Sequence, residues 1–240
     1  MERIAARLLL GEGSLWAPRL NQWLLVNIHG KKCYTLDTYG SGALRAYPVP
    51  EQVGTIVLRA PAVGRGEQAL VALKSGLAYL DLGSGEVTRL PGAPAEPPKN
   101  RWNDGKCSPE GRFWGGTMED ATFSKGAGSL YCVDPAPAGA AAPPPPRKAF
   151  GGVTISNGIS WSPDGRTLYY IDTPRNDVQV RASVRSRGIS VWKCACALVV
   201  CSRNKSPTRA HARTHAHKHN HTTLFPPGDR PLTTTPPLGG

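Results

Sequence analysis

Two short stretches decide the fold: Cys107-Ser108-Pro109-Glu110-Gly111-Arg112 and Trp161-Ser162-Pro163-Asp164-Gly165-Arg166. Each is a turn sequence, with Pro to fix φ and Gly to admit a positive φ. Two weaker turns precede them, Trp16-Ala17-Pro18-Arg19 and Arg59-Ala60-Pro61-Ala62. The prolines of the four turns lie 43, 48 and 54 residues apart, and a β-type segment follows each turn. Trp23–Ile28, Ala69–Leu73, Gly128–Val133 and Thr167–Ile171 all read as strands, punctuated by Gly, Pro and Asp. No stretch of helical length carries a convincing 3.6-residue period. A repeat of about 40–50 residues with several short strands per period predicts an all-β propeller, with about four blades visible. A β-sandwich with coincidental spacing is the alternative.

The repeat fades after Val180. Of the 29 Lys and Arg, 17 Asp and Glu and net charge of +12, residues 181–240 carry ten bases and one acid, Asp229. Most of the excess positive charge therefore belongs to this segment. It is also rich in Thr, Pro and His, with His211, His215, His217, His219 and His221 closely spaced. Such a composition cannot bury enough apolar surface to fold. We expect residues 8–180 to form a partial propeller and residues 181–240 a separate, disordered tail. A retained intron, a frameshift or a misjoined reading frame produces such a change of character. Because the excess charge sits in the tail, nucleic-acid binding by the body is not expected. A Pro/Ala-rich insertion at 135–148 reads as a loop on the rim.

The body's three cysteines, Cys33, Cys107 and Cys132, are odd in number and widely spaced, which is no disulfide framework. No apolar run reaches the ~18 residues of a membrane span, and the apolar stretch near the N-terminus is too short for a signal peptide. The expected location is the cytoplasm.

Three polar residues occupy one place in their repeats: Glu12, Asn103 and Asn157 each lie six residues before the turn proline, where the second repeat has Thr55. If the repeats are blades, these positions fall at one level of the innermost strands and converge on the central channel. Carboxylate and amide oxygens converging there suit one hard divalent cation, Ca²⁺, Mg²⁺, Mn²⁺ or Zn²⁺. The alternative is that they cap strand ends and bond to one another.

The stretches Leu10–Trp16, Asn100–Lys106 (Asn-Arg-Trp-Asn-Asp-Gly-Lys), Gly115–Met118 and Ile155–Ser162 resemble, in order and spacing, the hallmark segments of the senescence marker protein/regucalcin/gluconolactonase family, which includes luciferin-regenerating enzyme. The resemblance covers about residues 8–180. It implies a six-bladed β-propeller, here truncated to about four blades, with one divalent cation in the channel and a small-molecule lactone as substrate. Glu12 and Asn157 match two family metal ligands. Arg101 and Asn103 match the substrate-binding pair, and Glu119, or its neighbour Asp120, a further substrate-binding carboxylate. The implied activity is metal-dependent hydrolysis of a sugar lactone. The alternative is a non-catalytic, calcium-binding regulatory propeller. In the family an Asp of the next blade is both third ligand and general base. The repeat would place it near residues 200–211, a window with no Asp or Glu, so the catalytic base is unassigned.

Overall fold

All four turns join the first strand of a sheet to its second. The computed structural model describes residues 7–37, 42–186 and 189–195, with side chains up to residue 181. The first sheet holds β1 (Gly11–Ala17), β2 (Gln22–Asn27), β3 (Lys32–Leu36) and β4 (Leu44–Pro48). The second holds β5 (Val53–Leu58), β6 (Gln68–Leu73), β7 (Gly76–Asp81) and β8 (Val87–Arg89). The third holds β9 (Asn100–Cys107), β10 (Phe113–Glu119), β11 (Gly128–Val133) and β12 (Arg147–Val153). The fourth holds β13 (Ser156–Trp161), β14 (Thr167–Asp172), β15 (Gln179–Ser186) and β16 (Ile189–Ala195). Every sheet is an antiparallel meander in chain order, which is the blade of a propeller. Among the described residues the only helical element is a 3₁₀ turn at Thr173–Arg175, and no helix is long and apolar enough to cross a membrane.

The two Pro-Glu/Asp-Gly turns close as their sequences require. Gly111 N–H donates to the Ser108 carbonyl at 2.9 Å, and Gly165 N–H to the Ser162 carbonyl at 2.9 Å. Both glycines take φ of 80° and 67°, a region that costs a residue with Cβ steric strain.

Side-chain alternation explains how blades stack. Along β6, Ala69, Val71 and Leu73 face the first blade, while Leu70 and Ala72 face the third. Successive strand side chains point to opposite faces, so a blade with neighbours on both sides reads as a continuous apolar run. The interface of blades one and two is built on Leu24, Val26, Val53 and Ile56. That of two and three uses Trp102, Phe113 and Tyr131, and that of three and four Trp114, Leu130, Leu168 and Tyr170. β14 alternates instead: Leu168 and Tyr170 are buried, while Tyr169 and Ile171 are 40% and 36% exposed. Trp102 and Trp114 thus pack between blades, whereas Trp16 lies tilted against Trp23 of its own blade, at 5.4 Å between ring centroids.

The fourth sheet runs on past Val180. β15 pairs with β16 from Val180↔Ala195 to Ser186↔Ile189. The strands carry period-two alternation (Val180, Ala182, Val184; Ile189, Val191) without Pro or Asp-Gly punctuation, so a reading keyed to turn chemistry ends too early. The five tail histidines, Asp229 and the 200–211 window lie outside the described residues.

Candidate active site on the inner strands

The first strand of each blade, β1, β5, β9 and β13, carries an irregularity at the same level. Registers shift between Glu12 and Leu15, between Val53 and Thr55, opposite Trp102–Gly105, and between Asn157 and Ile159. Bulges re-aim side chains and raise local twist, and they recur next to active sites. Gly13 and Gly158, each directly after a predicted ligand, have φ of 62° and 40°, so the bulge backbone selects glycine. The shared position of Glu12, Thr55, Asn103 and Asn157 in their repeats is therefore a shared bulge.

These strands line one cavity of about 380 Å³, to which Glu12, Ile56, Asp104, Lys106, Ser160 and Tyr169 contribute. Glu12 is exposed at its wall. Asn157 is half-buried on β13, directly before Gly158, which lines the cavity. Its Oδ1 accepts from Gly158 N–H at 3.1 Å, and its Nδ2 donates to Thr173 Oγ1 at 3.2 Å. Among the described residues no hydrogen bond joins Glu12 to Asn157, and no group of three or more His, Cys, Asp and Glu converges as a metal cluster. Glu12, Asp104 and Ser160 bring oxygen atoms to the wall, the donor type of a hard cation, alongside Lys106 and the apolar Leu15, Ile56 and Ile159.

Arg101 and Asn103 are brought together and buried. Arg101, 4% exposed, donates through Nη1 to Asn103 Oδ1 at 2.7 Å and to the Trp102 carbonyl at 3.0 Å. Asn103 Nδ2 donates in turn to the Ser156 carbonyl at 2.7 Å, which ties β9 to β13 one residue before Asn157. Arg101 Nε pairs with Asp120 Oδ1. The other Asp120 oxygen accepts from Gln52 Nε2 at 2.8 Å, and the same amide reaches His29 Nδ1 at 3.0 Å. Burial works to raise the Asp120 pKa, but the hydrogen bonds from Arg101 and Gln52 and the Arg101 charge outweigh it and hold the carboxyl below its usual range. This chain of contacts crosses all four blades. Among the described residues Nη2 is the one guanidinium nitrogen of Arg101 with no protein hydrogen bond.

Glu119 faces elsewhere. It is buried at the end of β10, and its carboxylate accepts from Thr122 Oγ1 at 2.6 Å, Thr122 N–H at 2.7 Å and Ala121 N–H at 3.1 Å. These bonds, the Thr122 hydroxyl first, lower its pKa to about 2. Glu119 thus organises the 121–124 loop, while the adjacent Asp120 holds Arg101. The sequence reading did not single out Asp104. It sits in the Asn-Asp-Gly-Lys stretch, lines the cavity and accepts from Gly105 N–H at 2.8 Å. Burial raises its pKa. Its signal was a carboxylate inside the bulge, but the proline-to-polar spacing selects Asn103 and passes over its neighbour.

The family profile described as the SMP-30/Gluconolactonase/LRE-like region matches residues 10–190. The chain belongs to this family. It is 32% identical over 168 residues to regucalcin of Xenopus laevis, covering 68% of this chain and 52% of that protein. It is likewise 32% identical over 169 residues to 6-deoxy-6-sulfogluconolactonase of Pseudomonas putida, covering 70% of this chain and 53% of the relative. The chain therefore spans about half the length of the curated relatives it matches. Among solved structures it is similar to the calcium-binding protein regucalcin from Agrobacterium tumefaciens, with TM-score 0.66, 29% identity and coverage of 79% of this chain and 59% of that one. Luciferin-regenerating enzyme shares the fold, with TM-score 0.65 at 22% identity.

Proposed function

We propose that this chain carries the cation- and substrate-binding part of a metal-dependent sugar-lactone hydrolase. The observation that supports it most is Arg101: a buried guanidinium whose Nε and Nη1 are fixed by Asp120, Asn103 and Trp102, on the strand β9 that also contributes Asp104 and Lys106 to the inner-strand cavity. Relatives named as lactonases, including L-arabinolactonase of Azospirillum brasilense at 32% identity, support the same reaction class.

In this reading Glu12 and Asn157 would hold one divalent cation, Ca²⁺, Mg²⁺, Mn²⁺ or Zn²⁺, through oxygen. The cation, when bound, polarises the lactone carbonyl. Arg101 Nη2 donates to a carbonyl or hydroxyl oxygen of the sugar, and Asn103 keeps the guanidinium in plane. Asp120 is the carboxylate that sets Arg101; Glu119 shapes the loop behind it. Water adds to the acyl carbon, the ring C–O bond breaks, and the departing oxygen takes a proton. Residues 200–211 hold no Asp or Glu to serve as proton acceptor at the family's Asp position, so turnover is slow. That same gap favours a second reading, a calcium-binding regulatory propeller that uses the channel without turnover. The partner is a small-molecule lactone rather than nucleic acid or membrane. Free thiols at Cys33, Cys107 and Cys132 accord with a cytoplasmic location.

Calorimetric titration of the full chain with Ca²⁺, with Glu12→Gln and Asn157→Ala in parallel, tests the cation assignment. One saturable site weakened at least about tenfold in each variant is expected, as loss of a charged or oxygen ligand implies. Binding unchanged in both would refute the ligand assignment. Chelator-sensitive lactone hydrolysis separates enzyme from binding module.

A further inference from the structure

A second cleft, of about 390 Å³, opens between blades two and three where β5, β9 and β11 end, whereas Glu12 and Asn157 lie where their strands begin. Its size falls in the ~300–1,000 Å³ range of small-molecule sites. Leu70, Tyr79 and Phe113 give it an apolar wall, and the Pro/Ala-rich loop from Asp134 to Pro143 gives another.

Two cations line this apolar space. Arg59 lies 3.6 Å over the Tyr79 ring and donates to Gln68 Oε1 at 2.7 Å and, through Nη2, to the Ala141 carbonyl at 3.5 Å. Arg65 donates to the Ala60 carbonyl, while its Nε is buried with no partner. Every one of these acceptors is neutral. The neighbouring carboxylates pair with other cations: Asp134 with Arg112 at 2.6 Å, and Glu67 through Oε1 with Arg19 at 2.5 Å, while Glu67 Oε2 is buried with no hydrogen bond to either Arg59 or Arg65. Among the described residues neither Arg59 nor Arg65 forms an ion pair. Partial burial and the nearby Arg65 charge both disfavour the Arg59 cation, with burial the larger effect. Like charges in an apolar recess without a counter-ion are costly, and an anion seated between them relieves that cost.

We propose that this cleft binds a small organic anion with an apolar or aromatic body. The acid group sits between Arg59 and Arg65, with Arg65 Nε as a donor in waiting, and the body packs on Tyr79 and Phe113. The site is separate from the inner-strand cavity and does not depend on the lactonase reading.

The test is titration of the full chain with 4-phenylbutyrate, followed by NMR or calorimetry, against its uncharged amide. Arg65→Met removes the unpartnered donor without touching the Arg59–Tyr79 stack. Ala136→Trp fills the cleft from the loop and leaves both charges in place. Both variants are first matched to the parent in urea unfolding. Saturable binding of the acid at about millimolar Kd or tighter is expected, weakened about tenfold or more by Arg65→Met and by Ala136→Trp, with the amide weaker than the acid. Absence of saturable binding, equal affinity for acid and amide, or unchanged affinity in both folded variants would overturn the proposal.

Discussion

Asp120 and Glu119 are adjacent carboxylates with opposite tasks. Asp120 is half-buried against the buried Arg101, so Asp120→Ala strips the guanidinium of its counter-ion and is expected to cost about 1–3 kcal/mol in urea unfolding. The charge-free but isosteric Asp120→Asn should cost less and raise KM for a lactone more than it lowers kcat, because it loosens Arg101 rather than removing it. Glu119 gives a pH signature. Its folded pKa, about 2, lies below the ordinary carboxylate value. Its stabilising contribution is therefore complete above the unfolded pKa and is lost as pH falls from about 4.5 through about 2. NMR titration of the Glu119 carboxyl should show a midpoint near 2; a midpoint near 4.5 would mean that the Thr122 hydroxyl and the loop amides do not hold it in solution. The sequence could not separate these two residues. A one-residue change of register swaps which side chain faces which side, and the spacing after Gly-Thr-Met carries no mark of that register. Asp104 was passed over for a related reason: a bulge turns a residue that plain alternation would point away from the channel.

Among elements, the turns were readable and the last hairpin was not. Pro109, Gly111, Pro163 and Gly165 dictate local dihedrals whatever surrounds them, so the first-to-second strand connections follow from sequence alone. β15 and β16 depend instead on packing and alternation, which only the assembled blade supplies. The inner strands add a constraint that the repeat spacing did not express. A Cβ on Gly54 would lie 2.4 Å from the Trp102 carbonyl oxygen, so β5 approaches the backbone of β9 too closely for any other residue. Gly54→Ala should destabilise the chain by about 2 kcal/mol or more through backbone displacement. It should also shift the Arg101 and Asn103 resonances, since β9 carries both. Leu130, fully buried between blades three and four, offers the comparison case: Leu130→Ala should cost about 2–5 kcal/mol in unfolding without altering cation affinity.

At the scale of the whole molecule, four blades set side by side place one inner strand each along a common cavity. The Arg101 network then joins His29 in blade one to Ser156 in blade four. A substrate at Arg101 would thus feel the relative placement of all four blades. The residues of this chain supply the fixed guanidinium of Arg101, the oxygens of Glu12 and Asp104 at the cavity, and a 200–211 window without Asp or Glu. The most direct measurement is hydrolysis of a sugar lactone by the purified full chain, followed by acid release, with Ca²⁺ present, after chelation, and in Arg101→Met. Slow turnover is expected, abolished by chelation and lowered at least about a hundredfold by Arg101→Met, the scale of a lost transition-state donor. Turnover that survives both chelation and Arg101→Met would contradict this reading.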